Sequence, residues 1–222
     1  MKIWNVLIIA FFISLNTYAF GGVIVGGTRI IYEGSKKEAS ISISNPDKSS
    51  YLIQSWIELA ENNKNTFIVT PPLFRLDAEQ QNILRVVRAG GNLPEDRESL
   101  FWMNIKSIPS NKKESNANQL QIAVNTRIKL IYRPNGISKE NSVTQADKVS
   151  FSIAPGILKI TNPTPYYMNI SKVLVGGRAV ENITYIPPMA SKEFPIPKGV
   201  NGAVTWSLIN DFGGVGELHK AM

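Results

Sequence analysis

The sequence contains no cysteine and a single histidine, and both shortages remove whole classes of chemistry. Without cysteine the chain cannot form a disulfide, a thiolate zinc site or an iron–sulfur cluster, and it has no cysteine nucleophile. The one histidine, His219, stands close to the end of the chain and argues against a Ser-His-Asp triad and most His-based metal sites. We therefore expect a binding protein rather than an enzyme, with no metal and no cofactor.

Acidic residues are in deficit, at 17 against 24 lysines and arginines, which leaves a formal net charge of +7. Such a surplus suits an acidic partner, a carboxylate group or simple solubility. The basic residues are scattered, with only Lys36-Lys37 and Lys112-Lys113 adjacent. Because nucleic-acid binding needs a concentrated basic patch, we expect no nucleic-acid partner.

Long apolar runs are missing apart from one at the N-terminus. Lys2 precedes the ten-residue run 6–15 (VLIIAFFISL), and the small residues Thr17 and Ala19 follow it. This pattern is typical of a secretory signal peptide over 1–19, with cleavage after Ala19. A membrane anchor is the alternative, but a spanning helix needs about 20 apolar residues. We therefore expect an exported protein without membrane insertion, in which burial alone stabilises the fold.

Short strand-like segments separated by turn residues dominate the rest of the chain. Residues 38–45 alternate apolar and polar side chains with a period of two. Further strands are predicted over 51–59, 66–70, 83–87, 100–107, 119–133, 149–153, 156–162, 166–175, 183–186, 191–194 and 203–209. Helical candidates are limited to short turns near 78–81 and 94–98. The pattern predicts an all-β protein built of sandwiches rather than a parallel α/β sheet.

A strong break at Pro134-Asn135-Gly136, followed by the polar stretch 138–148, marks a domain boundary. We expect an N-terminal domain over 20–137 and a C-terminal domain over 138–222. Each is long enough for a small immunoglobulin-like sandwich with its own core.

Seven segments, taken together and in order, point to a known family. They are GGTRIIYEGSKKEASISISN (26–45), YLIQSW (51–56), FIVTPPLFRLD (67–77), RESLFWMNIKSIP (97–109), LQIAVNTRIKLIYRP (120–134), NPTPYYMNIS (162–171) and INDFGG (209–214). The chain resembles the periplasmic pilus chaperones, the PapD-like family. The resemblance implies two immunoglobulin-like sandwiches in an L shape with a cleft between them. It also implies a periplasmic protein that binds, folds and caps pilus subunits one-to-one by donor-strand complementation, and delivers them to an outer-membrane usher.

The long predicted strand over 119–133 is the first candidate site. Leu120, Ile122 and Val124 share one parity and make one side of the strand apolar. The pattern fits an ordinary half-buried strand, or an edge strand whose backbone and apolar side chains are lent to a partner. The resemblance implies an edge strand that is lent to a partner, with these three side chains entering the subunit.

The resemblance assigns a second role to Arg29 and Lys129, which would grip the C-terminal carboxylate of the subunit in the cleft. A partly desolvated carboxylate is stabilised by charge-assisted bonds to fixed cations. Without the resemblance, both residues read as solvated surface charges. Lys129 has the opposite parity from Leu120, so either the strand twists or bulges, or its two faces serve different parts of one partner.

Two further groups of residues have roles only through the resemblance. A charge cluster tying the domains together is implied for Glu98, Arg133 and Asp211, which alone would read as unrelated surface charges. Contact with the usher is implied for Leu52, Gln54, Pro71 and Pro72, which alone would read as core and turn residues. The resemblance also makes Thr70–Pro71 a candidate cis peptide bond.

The polar loop 110–118 is short and lacks cysteine. Within the family this indicates the short-loop type, which serves rod-like pili. Self-association of the free protein is left open.

An enzyme and a pilus subunit are the two alternatives to a pilus chaperone. An enzyme is disfavoured because the sequence lacks the nucleophile elbow, the phosphate-binding loop and the zinc-protease motif. A pilus subunit could donate a strand containing Val23 and Val25, but two domains without cysteine argue against this alternative.

Overall fold

The computed structural model describes four stretches of the chain, 21–58, 66–110, 120–137 and 139–221. The predicted signal peptide over 1–19, and all of the loop 110–118 except Ser110, lie outside the described residues. In the described stretches no helix is long and apolar enough to cross a membrane.

β-Strands make up nearly all of the regular structure, as the alternating pattern predicts. The strands are β1 (Ile24–Val25), β2 (Arg29–Glu33), β3 (Glu38–Ser44), β4 (Tyr51–Ile57), β5 (Phe67–Thr70), β6 (Leu73–Leu76), β7 (Gln81–Arg88), β8 (Ser99–Pro109), β9 (Val124–Arg133), β10 (Ser150–Ala154), β11 (Ile157–Asn162), β12 (Met168–Val175), β13 (Arg178–Ala179), β14 (Tyr185–Ile186), β15 (Ala190–Pro195), β16 (Val204–Leu208) and β17 (His219–Lys220). Two 3₁₀ helices, Asn135–Ile137 and Ala146–Lys148, lie between β9 and β10.

The N-terminal sandwich consists of two sheets with the strand orders β1-β3-β7-β5 and β2-β9-β8-β4-β6. Neighbouring strands are antiparallel except for β2 and β9, which pair in parallel. Alternate residues point inward: Ile41 and Ile43 of β3 are buried, whereas Ser42 between them is exposed. This is the consequence of the period-two pattern, because successive side chains of a strand face opposite sides.

The C-terminal sandwich consists of a sheet with the order β10-β11-β15 and a sheet with the order β13-β12-β16-β17, to which β14 adds on β12. Its core includes Leu158, Ile160, Val173 and Trp206. This core is separate from that of the N-terminal sandwich. Two immunoglobulin-like sandwiches are therefore present, and the predicted all-β fold class is confirmed.

Three local expectations from the sequence are wrong. Residues 78–79 form a turn and 95–97 a bend, so neither predicted helical turn is a helix. A segment of a few residues between strands forms too few hydrogen bonds to offset the unfavourable nucleation of a helix. The last strand of the N-terminal sandwich begins at Val124 rather than at 119, because its pairing with β8 ends at Ser107 opposite Val124.

Candidate functional site

Strand β9 carries an edge that is only partly paired. On one side it pairs with β8 along most of its length, from Tyr132 opposite Ser99 to Val124 opposite Ser107. On the other side β2 covers only Lys129 to Arg133. Within the described residues, the part of β9 before Lys129 has no strand on that second side. Its backbone groups there are available to an added strand.

An exposed apolar row leads into this open edge. Leu120, Ile122 and Val124 are 87%, 67% and 53% exposed. They have the same parity as Ile128 and Leu130, which are buried in the N-terminal core. Val124, the first residue of β9, is therefore on the core side of the sheet, and Leu120 and Ile122 directly precede it in the chain. Such a surface suits a partner that can bury it.

The pairing of β8 with β9 runs without a register shift from one end to the other. No bulge therefore separates Val124 from Lys129, and these two residues have opposite parity. Lys129 lies on the opposite face of the sheet, and the two faces of β9 present different chemistry.

Arg29 and Lys129 lie side by side, because they are direct register partners in the parallel pair β2–β9. The Lys129 ammonium donates a hydrogen bond to Oδ1 of Asn169 in the C-terminal domain at 2.6 Å. A guanidinium nitrogen of Arg29, Nη1, donates to the backbone oxygen of Ile209 at 3.4 Å. Both predicted anchor residues therefore lie where the two domains meet, and among the described residues only neutral groups accept hydrogen bonds from them.

The charges of this pair are poorly compensated. Burial, together with the neighbouring Arg29 and Lys192 cations, lowers the pKa of Lys129 to about 8. Burial also lowers the pKa of Arg29, although Asp211 opposes this shift. In the described part of the chain Arg29 Nε is buried without a hydrogen-bond partner. An incoming carboxylate would satisfy this donor and balance both charges.

The predicted charge cluster is brought together across the two domains. Arg133 donates from Nε to Oε1 of Glu98 at 2.7 Å, and from its two terminal nitrogens to the two oxygens of Asp211 at 2.8 and 3.0 Å. The second oxygen of Glu98 accepts from the backbone N–H of Tyr167 at 2.7 Å. The side chains of Arg133, Glu98 and Asp211 are 7%, 1% and 24% exposed. A buried arginine thus links a carboxylate of each domain.

We expect Asp211→Asn to lower the free energy of unfolding by about 1–2 kcal/mol, since it weakens two charge-assisted hydrogen bonds to a buried guanidinium. Guanidinium chloride unfolding measures the change. Asp147→Asn is the matched control, because the Asp147 side chain is 90% exposed. Equal unfolding midpoints for the two variants would contradict a stabilising role of Asp211.

The four predicted usher-contact residues lie on one part of the N-terminal domain. Leu52 and Gln54 are exposed on β4, next to β6. Pro71 and Pro72, in the turn between β5 and β6, lie next to β4. The Ser55 backbone N–H donates to the Pro72 carbonyl at 2.8 Å, and the Ser55 hydroxyl donates to the Pro71 carbonyl at 2.9 Å. The Thr70–Pro71 peptide bond is cis.

Sequence reasoning missed the residues of the C-terminal domain that face Lys129. Asn169 accepts its hydrogen bond, and the Tyr185 ring lies 4.9 Å from its ammonium. Contact between the two domains brings Asn169 and Tyr185 close to Lys129, so no local sequence pattern could have identified them. A motif search also could not find the ion pair of Arg127 with Glu58, since 69 positions separate the two residues.

Comparison with known proteins agrees with this architecture. Residues 22–138 match the family model for the N-terminal domain of the pili and flagellar-assembly chaperones, and residues 144–220 match that for the C-terminal domain of the pili assembly chaperone PapD. Chaperone protein FocC of Escherichia coli is 42% identical over 229 residues, which span 100% of this chain and 99% of that protein. Chaperone protein FimC of Escherichia coli K12 is 42% identical over 88% of this chain and 82% of its own length.

Solved structures give the same result. A structure of the Salmonella enterica SafA pilin in complex with the SafB chaperone matches with a TM-score of 0.84 and 37% identity, over 93% of this chain and 98% of that chain. The Escherichia coli chaperone DraB matches with a TM-score of 0.80 and 38% identity, over 90% and 96% of the two chains. The fold and the site thus define a two-domain chaperone of the immunoglobulin-like type. The chain belongs to the PapD-like family of pilus-assembly chaperones.

Proposed function

We propose that this protein is a periplasmic chaperone that binds, folds and caps pilus subunits by donor-strand complementation, and delivers them to an outer-membrane usher. One observation carries the proposal: an exposed apolar row leads into an open strand edge that runs toward two cations, neither of which forms an ion pair within the described residues. A strand with a free carboxylate at its end fits both halves of this surface.

The geometry sets the direction of the bound strand. Along the open side of β9, the strand β2 begins at Arg29, opposite Lys129. A partner strand added to the same side must therefore stop there. If its last residue is its C-terminus, the strand runs toward Lys129 as β9 does, so it pairs with β9 in parallel. The carboxylate then lies beside Arg29 and Lys129.

The apolar row supplies binding free energy and a template for the subunit. Leu120, Ile122 and Val124 would enter the groove left by a missing strand of the subunit. Burial of three such side chains is worth roughly 5–8 kcal/mol before the costs of association. The opposite face of β9 carries Lys129, which would bind the terminal carboxylate, so that the two faces serve different parts of the same partner.

The charge cluster formed by Glu98, Arg133 and Asp211 would hold the two domains in the orientation that keeps the cleft open to the subunit. The proposed domains are 20–137 and 138–222. The described contacts of Arg133 with both domains support this role.

The surface formed by Leu52, Gln54, Pro71 and Pro72 is the proposed contact with the usher. It lies on β4 and the β5–β6 turn, whereas the subunit site lies on β9 and β2. A chaperone that uses separate surfaces can hold a subunit while the usher binds it. Loss of usher binding by Leu52→Asp, with subunit binding retained, is the result that this assignment requires.

Co-expression with a pilus subunit tests the function. A tagged chaperone should be recovered from the periplasm in a one-to-one complex with the subunit, because a strand-donation complex survives purification. The intact mass of the recovered chaperone should correspond to a chain that begins at Phe20. Recovery of the chaperone without any co-expressed subunit, or accumulation of free soluble subunits in its absence, would contradict the proposal.

A further inference from the structure

The ring of Tyr185 on β14 lies between the two domains and contacts two ammonium groups. Lys129 Nζ, from β9 of the N-terminal domain, lies 4.9 Å from the ring centroid. Lys192 Nζ, from β15 of the C-terminal domain, lies 4.2 Å from the same centroid. Both distances are typical of cation–π contacts. One aromatic side chain thus holds a cation of each domain in the same region of the molecule.

No acid balances these cations in the described stretches of the chain. Lys192 forms no ion pair there, and Lys129 donates to the neutral amide oxygen of Asn169. The Asn169 side chain is itself oriented by a hydrogen bond from its amide nitrogen to the Tyr167 carbonyl at 3.3 Å. Like charges gathered without an acid repel one another, and an added anion would relieve this repulsion.

The position of Lys192 on its strand shows why it reaches Tyr185. Its neighbours Ser191 and Glu193 are exposed, whereas Lys192 is half-buried and shares its parity with Phe194, which packs against the C-terminal core. The side chain is therefore on the inner side of β15 and does not point outward into solvent as its neighbours do.

We propose that Lys192, held by Tyr185, is a third cation of the carboxylate site and contacts the terminal carboxylate of the subunit from the C-terminal domain. This inference rests on the proposed function, in which Arg29 and Lys129 bind the same group. The carboxylate would then contact cations of both domains. Its binding affinity would therefore depend on the orientation of one domain relative to the other.

The test uses a synthetic peptide of about ten residues that alternates threonine and valine, made with a free C-terminal carboxylate or with a C-terminal amide. Binding to the full chaperone is measured by fluorescence anisotropy. We expect Lys192→Gln to weaken binding of the free-acid peptide about 3- to 10-fold and to leave the amide peptide unchanged. Lys198→Gln, an exposed lysine of the same domain, is the matched control and should change neither affinity.

Tyr185 gives a second pair of variants. Tyr185→Phe keeps the ring and should retain the affinity for the free-acid peptide. Tyr185→Leu removes the ring and should weaken binding of that peptide as Lys192→Gln does, while the amide peptide is again unaffected.

A measurement without any peptide separates a role in the site from a merely structural one. The groups that face the Lys129 ammonium are Arg29 from β2, Lys192 from β15, Tyr185 from β14 and Asn169 from β12. Because Lys192 repels the charged form of Lys129, Lys192→Gln should raise the pKa of Lys129. Nuclear magnetic resonance titration of the lysine Cε signal reports that pKa.

The outcomes distinguish this inference from the function on which it rests. A wild-type affinity of Lys192→Gln for the free-acid peptide, or an equal loss for both peptides, overturns the role of Lys192 alone. A wild-type chaperone that binds the amide as tightly as the free acid contradicts the carboxylate anchor, and the third cation with it.

Discussion

Arg29→Ala or Lys129→Ala is expected to abolish the capture of pilus subunits while leaving the chaperone folded. Each substitution removes one of two adjacent cations from a partly buried carboxylate, which costs about 2–5 kcal/mol of binding free energy. We expect the fold to be retained, because burial lowers the pKa of both Lys129 and Arg29, so that burial makes each charge less favourable in the free protein. Recovery of subunit with the tagged chaperone from periplasm measures the effect.

Two exposed residues of the same domain provide matched controls for this experiment. Arg85 pairs with Glu38 at the surface, and Lys37 is exposed on the turn before β3. Arg85→Ala and Lys37→Ala remove the same charges and should leave subunit yields normal. Normal yields with Arg29→Ala or Lys129→Ala would refute carboxylate anchoring. Reduced yields with all four variants would mean that net charge matters rather than the site.

Ile122→Asp is expected to prevent stable complexes because it places a charge in the groove of the subunit. Ile122 is 67% exposed in the free protein, so the aspartate costs little there. In the complex the carboxylate would be buried among apolar groups without a partner, at a cost of several kcal/mol. Co-purification of the complex, together with thermal unfolding of the free chaperone, measures both effects.

The neighbouring residue is a close control, because Ala123 is also exposed but has the opposite parity. Ala123→Asp introduces the same charge one position away and on the other face, so it should leave the complex largely intact. Equal losses for the two variants would show that charge near the edge matters, and not insertion of the apolar row. Retention of the complex by Ile122→Asp would exclude Ile122 from the groove.

Much of the fold follows from local pattern. The alternation over 38–45 corresponds to β3, and the break at Pro134-Asn135-Gly136 lies directly after β9. Strand β2 was not predicted, since its apolar residues Ile30, Ile31 and Tyr32 are consecutive and do not alternate with polar ones. Its parallel pairing with β9 could not be predicted either, because the two strands are about 100 positions apart. That pairing places Arg29 against Lys129.

The sequence predicts one part of the candidate site, and strand pairing decides the other. The apolar parity of Leu120, Ile122 and Val124 is legible in the sequence, because a strand orients alternate side chains to one side. That this row is open, and ends where β2 begins, depends on which strands pair.

The sequence by itself determined the all-β class and the family, because both depend on residue types and their order along the chain. Tertiary structure alone decided which charges meet. Arg133 binds Glu98 and Asp211 from positions 35 and 78 residues away, and Tyr185 approaches Lys129 and Lys192 from different strands. Electrostatic interactions depend on distance and burial, and neither is encoded locally when the partners belong to two domains.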